Sequence, residues 1–280
     1  LRLSSWHGIG WSAPPMPKTT RRLSLYEALL EEQVESNGMH MKMQMFIPHG
    51  YDVICMRLTG PARNAIPHIL EMVRPVDERL ELPVWHDCGE SVIAFTQKLP
   101  GGHHSYTVAA MFVPHVKSRP VRGTSGERSA VLEQDGDTDL FLTVKTSFHS
   151  KNTLKDAEKE LAEAGKKSFD SLKKDHLKWW REYWVSKAYA DFGKYHDIQK
   201  YYTFGLYEIA CVYGRAPMPG LNGMAYGPLN EQTPGVGYQG YTHDQNAQIP
   251  ALAFMPSNRV EMIHVLADTY LAAMKVLKKH

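Results

Sequence analysis

The densest group of side chains able to do chemistry lies in segment 241–248. Seven of its eight side chains can donate or accept a hydrogen bond. The segment comprises Tyr241, Thr242, His243, Asp244, Gln245, Asn246, Ala247 and Gln248. It lies between a glycine-rich stretch, 220–240, and an apolar stretch, 249–254, which is a common setting for a site. The same residues could instead cap a helix, with His243, Asp244 or Asn246 closing free backbone N–H groups, and the segment alone leaves both interpretations open.

Length and composition set the class of protein that could carry such a segment. A chain of 280 residues can bury a large core and is long enough for two domains. The apolar content of 43% and charged content of 22% are typical of a globular protein. The net charge is only +2, and no run of Lys and Arg is interleaved with aromatic residues. We therefore expect no nucleic-acid partner.

Cofactor and membrane signals are missing from the sequence. The three cysteines are scattered, without a CxxC or a His/Cys ligand spacing, and no glycine-rich phosphate loop follows a strand. We therefore expect no metal, nucleotide or flavin cofactor. No apolar run approaches the roughly 20 residues of a membrane span. Because the chain begins with Leu1 and lacks a signal-peptide core, a processed or truncated product is expected.

Residues 1–150 have the pattern of strands. Segment 39–47 alternates four methionines with His, Lys and Gln, which predicts a strand with one buried face. Further strands are predicted at 51–58, 91–97, 104–113 and 139–147. Short strands at this spacing favour an antiparallel β-sandwich. Segment 119–137 is interpreted as an exposed loop, and His103 with His104 as a hairpin tip rather than a metal site.

Helical periodicity begins after residue 150. An apolar stripe from Leu154 to Trp180 predicts one long helix or two helices broken near Gly165, with Thr153 and Asp156 as a capping box. A second helix is predicted over 197–213. A third follows a cap at 258–261 and continues to the end of the chain.

The aromatic residues divide into two groups. Trp179, Trp180 and Trp184 are interpreted as core between domains rather than as platforms for sugars. Tyr238 and Tyr241 lie among glycines beside the polar segment, and for them packing and sugar stacking remain equally open.

Several motifs resemble those of family 95 glycoside hydrolases, the inverting α-L-fucosidases and their α-L-galactosidase relatives. In the first half these are segment 22–28, the methionine-rich strand and segment 52–58. Pro-Gly-Leu-Asn-Gly at 219–223 resembles a family run of Pro, Leu-Gln-Gly and Trp. Segment 241–248 resembles the family's Tyr-His-Thr-Asn-Ile-Asn-Leu-Gln. The resemblance implies a β-sandwich at 1–150, a helical linker at 151–194, and the start of an (α/α)6 barrel at 195–280 with the site at its mouth.

The resemblance also implies roles for individual residues. Asp244 and Asn246 fall on the two family asparagines that hold the attacking water, so they are the candidate catalytic residues. The candidate substrate-binding residues are Tyr241, Thr242, His243, Gln248 and Asn222. The chain departs from the family pattern, because Thr242 takes the histidine position, His243 is displaced by one, and Met-Ala-Tyr at 224–226 replaces the tryptophan-bearing run. These departures put the fucose specificity in doubt.

Inverting hydrolysis needs two carboxyl groups, a general acid and a base that activates water. After residue 214 the acids are Glu231, Asp244, Glu261 and Asp268, and the last two lie on a helix that looks structural. In the family the acid and the main base lie further downstream. We therefore expect this chain to be the N-terminal piece of a longer polypeptide, with a complementary C-terminal fragment bound to it. A half-built barrel would otherwise expose the apolar faces of its helices.

The first functional hypothesis is thus a glycoside hydrolase, or its N-terminal part, acting on a fucose- or galactose-like α-linked sugar in an oligosaccharide or glycoconjugate. The second is a non-catalytic carbohydrate-binding or scaffold protein that lacks the catalytic half. A phosphorylase of related architecture would need a basic phosphate pocket, for which Arg215 is the candidate. Related enzymes are commonly exported or organellar, which favours a secreted, periplasmic or organellar location over the cytosol.

Overall fold

The structure is a computed structural model, and it describes residues 2–5, 18–36, 39–60, 68–73, 80–88, 91–113, 127–132, 137–213 and 245–277. The chain divides into two compact units. Unit 1 is Leu1–Ser24 with Leu29–Lys178, and unit 2 is Leu25–Ala28 with Trp179–His280. The functional division of the chain at residues 150 and 194 stays a prediction.

Unit 1 contains two antiparallel sheets. Eight strands form the larger sheet in the order β2-β3-β4-β5-β11-β9-β8-β7, and three form the smaller sheet in the order β1-β6-β10. The strands are β1 (Arg2–Ser5), β2 (Lys18–Ser24), β3 (Leu29–Ser36), β4 (Met39–Phe46), β5 (Val53–Thr59), β6 (His68–Val73), β7 (Val84–Asp87), β8 (Val92–Lys98), β9 (Ser105–Val113), β10 (Glu127–Leu132) and β11 (Thr138–Thr146). The predicted strands correspond to β4, β5, β8, β9 and β11, so the expected sandwich is confirmed.

The larger sheet buries both of its faces, which explains the apolar alternation in its central strands. On β11, Phe141 lies opposite Cys55 of β5 in the register and packs toward the helices that follow the sheet. The neighbouring Leu140 belongs to the opposite face, in a cluster that includes Phe112 of β9 and Met72 of the smaller sheet. Successive side chains on a strand point to opposite faces, so each central strand contributes to both clusters.

Two helices follow the sheet along the chain, α1 (Thr153–Lys167) in unit 1 and α2 (Phe169–Val185), which belongs to unit 1 up to Lys178 and to unit 2 from Trp179. The predicted break is confirmed, and it falls at Ser168, which has a positive φ of 66°. The predicted capping box is wrong by one residue. Asn152 is the N-cap, accepting the Lys155 N–H at 3.0 Å, whereas the Thr153 hydroxyl bonds Thr107 inside the protein at 2.7 Å. The Thr153 hydroxyl therefore bonds a buried side chain instead of capping the helix.

One predicted loop is also wrong. Strand β10 lies within segment 119–137, which composition assigned to an exposed loop. Its residues pair with β6 from Glu127 opposite Val73 to Leu132 opposite His68. Pairing with a strand more than 50 residues earlier supplies the backbone hydrogen bonds, so polar composition did not signal the strand.

Unit 2 contains α3 (His196–Val212), α4 (Gln245–Leu252), a 3₁₀ turn (Val260–Met262) and α5 (Ile263–Leu277). The predicted helices at 197–213 and after 258 are confirmed. A side-chain cap at Asn258 is not found, because Asn258 has a positive φ of 53° and the N-cap residue is Arg259, without a side-chain cap bond. Trp180 is only 5% exposed and packs in one cluster with Tyr183, Phe254 and Met262, so it is a core residue of unit 2, and its predicted place between domains stays a prediction.

The helices of unit 2 leave many large apolar side chains exposed. On α3 these include Ile198 and Phe204, and on α5 they include Ile263, Leu271 and Met274. Among the described residues, no helix is long and apolar enough to cross a membrane.

Candidate functional site

Most of the predicted site residues lie outside the described residues. These are Asn222, Tyr241, Thr242, His243 and Asp244, together with the alternative candidates Arg215 and Tyr238. The described part of the predicted site is therefore the first turn of α4, with Asn246 and Gln248. These two positions are two residues apart, and positions at that spacing do not face each other on a helix. Gln248 is exposed.

The end of α4 is anchored by packing, and this fixes the helix that carries the predicted site. Phe254, just after the helix, is 1% exposed and contacts Tyr213 edge to face, with ring centroids 5.0 Å apart. Its backbone carbonyl accepts the Arg259 N–H at 2.7 Å. Tyr213 follows directly on α3, so an aromatic contact joins the ends of α3 and α4.

Arg259 is a buried charge in unit 2 that sequence reasoning missed. Its Nη1 donates to the carbonyl oxygens of Ser257 at 2.8 Å and Ala188 at 3.1 Å. Its guanidinium carbon lies 4.4 Å from the centre of the Tyr183 ring. Its Nε and Nη2 atoms are buried and have no hydrogen-bond partner among the residues that the structure describes. In the sequence the residue looked like part of a helix cap, and nothing local distinguishes a buried arginine from an exposed one.

A neutral phenol and a paired carboxylate lie near Arg259. Burial raises the pKa of Tyr183 to about 12, although the positive charge of Arg259 opposes that rise. The Tyr183 hydroxyl donates to the Leu206 carbonyl at 2.6 Å, so the neutral phenol has a defined role. Glu261 is two residues from Arg259 and is held by Lys187 at 2.6 Å. Arg259 is thus satisfied on one nitrogen and open on the other two.

Histidines 103 and 104 behave as predicted. The Leu99 N–H donates to the His104 carbonyl at 2.8 Å, which closes the hairpin between β8 and β9. The His104 ring stacks on Phe148 with centroids 4.1 Å apart. Within the described ranges, no group of three or more His, Cys, Asp or Glu could hold a metal ion.

None of the Asp and Glu side chains whose burial the structure describes is fully buried. A general acid usually needs burial to raise its pKa. The described part of the predicted site is therefore the helix that carries Asn246 and Gln248. Among the carboxyl groups whose burial is described, none is a buried candidate for the general acid.

Comparisons with known proteins give the fold. No protein-family profile matches the chain, and no curated protein does. A solved structure from the human microbiome, assigned as a kojibiose phosphorylase, superposes with a TM-score of 0.57 at 17% identity over 74% of this chain and 31% of that chain. A bacterial glucoamylase in complex with acarbose gives a TM-score of 0.45 at 8% identity, covering 71% of this chain and 32% of that one. A GH92 α-mannosidase from Bacteroides thetaiotaomicron gives 0.33 at 11% identity, covering 65% and 25%.

Of these three superpositions, only the first has a TM-score above 0.5. The chain spans about a third of the length of that phosphorylase structure. The match supports the predicted architecture, in which an N-terminal antiparallel sandwich is followed by linker helices and by the first helices of an (α/α)6 barrel. At 17% identity it shows the fold and not the reaction. The chain therefore has the architecture of an antiparallel sandwich followed by the first helices of an (α/α)6 barrel.

Proposed function

We propose that the chain is the N-terminal part of a glycoside hydrolase that cleaves an α-linked, fucose- or galactose-like sugar with inversion. The observation that carries the proposal is the combined order of sandwich, linker helices and barrel helices, shared with a protein assigned as a kojibiose phosphorylase. The motifs at 219–223 and 241–248 add the resemblance to family 95, and they narrow the proposal to the fucosidase and galactosidase group.

In this proposal Asp244 and Asn246 act on the attacking water. The Asn246 amide orients the water without titrating, and the Asp244 carboxylate can also accept its proton. The water oxygen then bonds to the anomeric carbon, while a general acid donates a proton to the departing glycosidic oxygen. Tyr241, Thr242, His243, Gln248 and Asn222 would bind the sugar. The acid and the main base are assigned to a segment beyond these 280 residues.

We further propose that this additional segment covers the exposed apolar faces of unit 2. Ile198 and Phe204 on α3 and Ile263, Leu271 and Met274 on α5 are each at least 42% exposed. Large apolar side chains exposed in this number on two helices are typical of a surface that another segment covers. The partner would be the complementary C-terminal part of the same polypeptide, which supplies the rest of the barrel.

A second candidate is phosphorolysis, favoured by the assigned activity of the first structural neighbour. Phosphate would then attack the anomeric carbon in place of water, and the product would be a sugar 1-phosphate. Phosphate brings its own negative charge, so a base that deprotonates water would be dispensable.

One experiment tests both candidates. The protein is purified with every chain that accompanies it, the masses are measured under denaturing conditions, and turnover of a panel of α-glycosides is followed with and without phosphate. For hydrolysis, Asp244→Asn should lower turnover by up to about 100-fold, because Asp244 shares with the main base a function worth 10² to 10⁴ in full. Glu261→Gln, which changes an exposed acid paired with Lys187, is the matched control and should keep turnover.

Each other outcome has a defined meaning. Full turnover by Asp244→Asn without phosphate would remove Asp244 from the mechanism. Turnover that requires phosphate and survives Asp244→Asn would establish phosphorolysis. A single species at 31.8 kDa that binds sugars and turns none over would favour the carbohydrate-binding alternative.

A further inference from the structure

A group of tyrosines on unit 2 combines exposed rings with tied hydroxyl groups. We define the tyrosine patch as Tyr26, Tyr189, Gln199 and Thr203. Tyr26 lies on the turn before β3, Tyr189 follows α2, and Gln199 and Thr203 are on α3. The Tyr26 side chain is 54% exposed and that of Tyr189 is 38% exposed.

The hydroxyl of Tyr189 is the centre of the patch. It lies 2.9 Å from the Tyr26 hydroxyl, 2.8 Å from the Thr203 hydroxyl and 2.7 Å from Gln199 Nε2, which donates to it. A hydroxyl group has one donor and two acceptor positions, so these three bonds saturate it. The Tyr189 ring is partly exposed and contacts the rings of Trp184 and Tyr202, so its position is set both by ring packing and by these three bonds.

The patch is rigid before any ligand arrives. Gln199 Nε2 also donates to the Ala190 carbonyl at 3.2 Å, and its Oε1 accepts the Phe192 N–H at 2.9 Å. Trp184 supports Tyr26 in two ways. Its Nε1 donates to the Tyr26 carbonyl at 3.1 Å, and its ring lies 5.3 Å from the Tyr26 ring. Fixed aromatic groups lose little entropy on binding, which favours affinity.

The groups left open in the patch define the chemistry of a ligand. Among the described residues the Tyr26 hydroxyl bonds Tyr189 and has Thr203 as a second neighbour, which leaves at least one of its three positions for a ligand, and the Tyr26 ring offers an apolar surface beside it. A matching ligand must present an apolar face with hydroxyl groups around its edge. A pyranose ring has this form, since its axial C–H bonds make an apolar face and its hydroxyls lie at the rim. A purely apolar partner would bury the open positions of the Tyr26 hydroxyl without compensation.

We propose that the tyrosine patch binds a pyranose oligosaccharide, with one sugar ring stacked on Tyr26 and hydrogen-bonded to its hydroxyl. None of these residues has a role in the proposed hydrolysis. The site would hold a carbohydrate chain rather than cleave it. The choice of a sugar as the ligand rests on the proposed function, whereas the rigid geometry of the patch does not.

The test is calorimetric titration of the purified protein, with all accompanying chains, against maltoheptaose, isomaltotriose, 2′-fucosyllactose and cellohexaose. The Asp244→Asn background prevents turnover from consuming the probe. At least one probe should bind, and Tyr26→Ala should weaken that binding about tenfold because the stacked ring is lost. Tyr26→Phe keeps the ring and should weaken binding about threefold, which separates stacking from hydrogen bonding.

Tyr201→Ala is the matched control. Tyr201 is on the same helix as Gln199 and Thr203 but two residues from each, so it lies on another side of α3. It is 76% exposed, more than Tyr26, and its removal should leave binding unchanged. Unchanged thermal unfolding of Tyr26→Phe shows that the fold is kept.

The proposal is overturned if no probe binds, if Tyr26→Ala binds as the wild type does, or if Tyr201→Ala weakens binding equally. These outcomes are independent of the catalytic proposal. Absence of turnover in the wild-type protein with binding retained would count against the hydrolase and not against the patch. Retained turnover with no effect of Tyr26→Ala on binding would count against the patch alone.

Discussion

Arg57 in unit 1 and Arg259 in unit 2 are two partly or fully buried arginines with opposite degrees of satisfaction. Arg57 bonds Asp139 through Nε at 2.6 Å and Nη2 at 3.0 Å, and Asp170 completes its contacts. The same two nitrogens of Arg259 have no partner. An arginine uses this pair of nitrogens for bidentate carboxylate recognition. Unit 1 therefore supplies the partners that its buried charge needs, and the described part of unit 2 does not.

The apolar side chains show the same contrast. In unit 1 the sheet packs on both faces, and residues such as Phe112 and Phe141 are 1% exposed. In unit 2 the aromatic cluster around Trp180 is well packed, yet α3 and α5 turn Phe204, Ile263 and Leu271 to solvent. Unit 1 closes its core with its own residues, whereas the described helices of unit 2 keep large apolar side chains exposed.

The largest effect is expected from Phe141→Ala. Removing a fully buried phenylalanine from the centre of the sheet should lower the free energy of unfolding of unit 1 by about 3–5 kcal/mol. Urea unfolding followed by circular dichroism measures the change. Leu271→Ala, at a position 57% exposed on α5, should change stability by less than about 0.5 kcal/mol. A large loss of stability on Leu271→Ala, measured on these 280 residues without a further segment, would contradict the contrast between the two units. It would mean that the face of α5 is already covered.

Much of this contrast could be predicted from the sequence. Period-2 alternation predicted β4, β5, β8, β9 and β11, and the helical stripe predicted α1 and α2, because burial on one face imposes those periods. Strand β2 was not predicted, since six of its seven residues are exposed and it has no buried face to impose alternation.

The open donors of Arg259 could not be predicted for a different reason. Whether an arginine is buried depends on contacts with Tyr183 and Ala188, which are more than 70 residues away along the chain. Similarly, Asn152 and not Thr153 caps α1 because the Thr153 hydroxyl bonds Thr107 on β9. The polar composition of 241–248 predicted a site, but composition cannot assemble residues in space, and Asp244 remains a prediction.

A smaller effect should distinguish the two carboxylates that hold Arg57. Asp139 is 14% exposed and bonds the guanidinium at two atoms, whereas Asp170 is 73% exposed. The bonds to Asp139 are the main cause that raises the pKa of Arg57. Asp139→Asn should therefore cost about 1.5–3 kcal/mol in urea unfolding, and Asp170→Asn less than about 0.5 kcal/mol. An equal loss of stability for the two variants would show that the buried Arg57–Asp139 pair contributes no more than the exposed Arg57–Asp170 pair.

The smallest perturbation is chemical labelling of one cysteine in each unit, which measures the exposure of the thiol without changing stability. Cys55 lies opposite Phe141 in the sheet, and burial raises the pKa of its thiol to about 12. Cys211 is exposed on α3, although its neighbours still withdraw the sulfur partly from water and raise its pKa. Since the thiolate is the reactive form, both should react more slowly than free cysteine at pH 7.5.

Treatment of the native protein with iodoacetamide, followed by peptide mass mapping, should label Cys211 and leave Cys55 unmodified. The labelling rate of Cys211 should rise about tenfold per pH unit below its pKa, as the thiolate fraction grows. Cys55 should become reactive only when urea unfolds unit 1, and Phe141→Ala should move that point to lower urea. Protection of Cys211 in the presence of the proposed C-terminal segment would mean that the open face of α3 is the surface that the segment covers. Native labelling of Cys55 at the rate of Cys211 would instead mean that unit 1 is no better closed than unit 2.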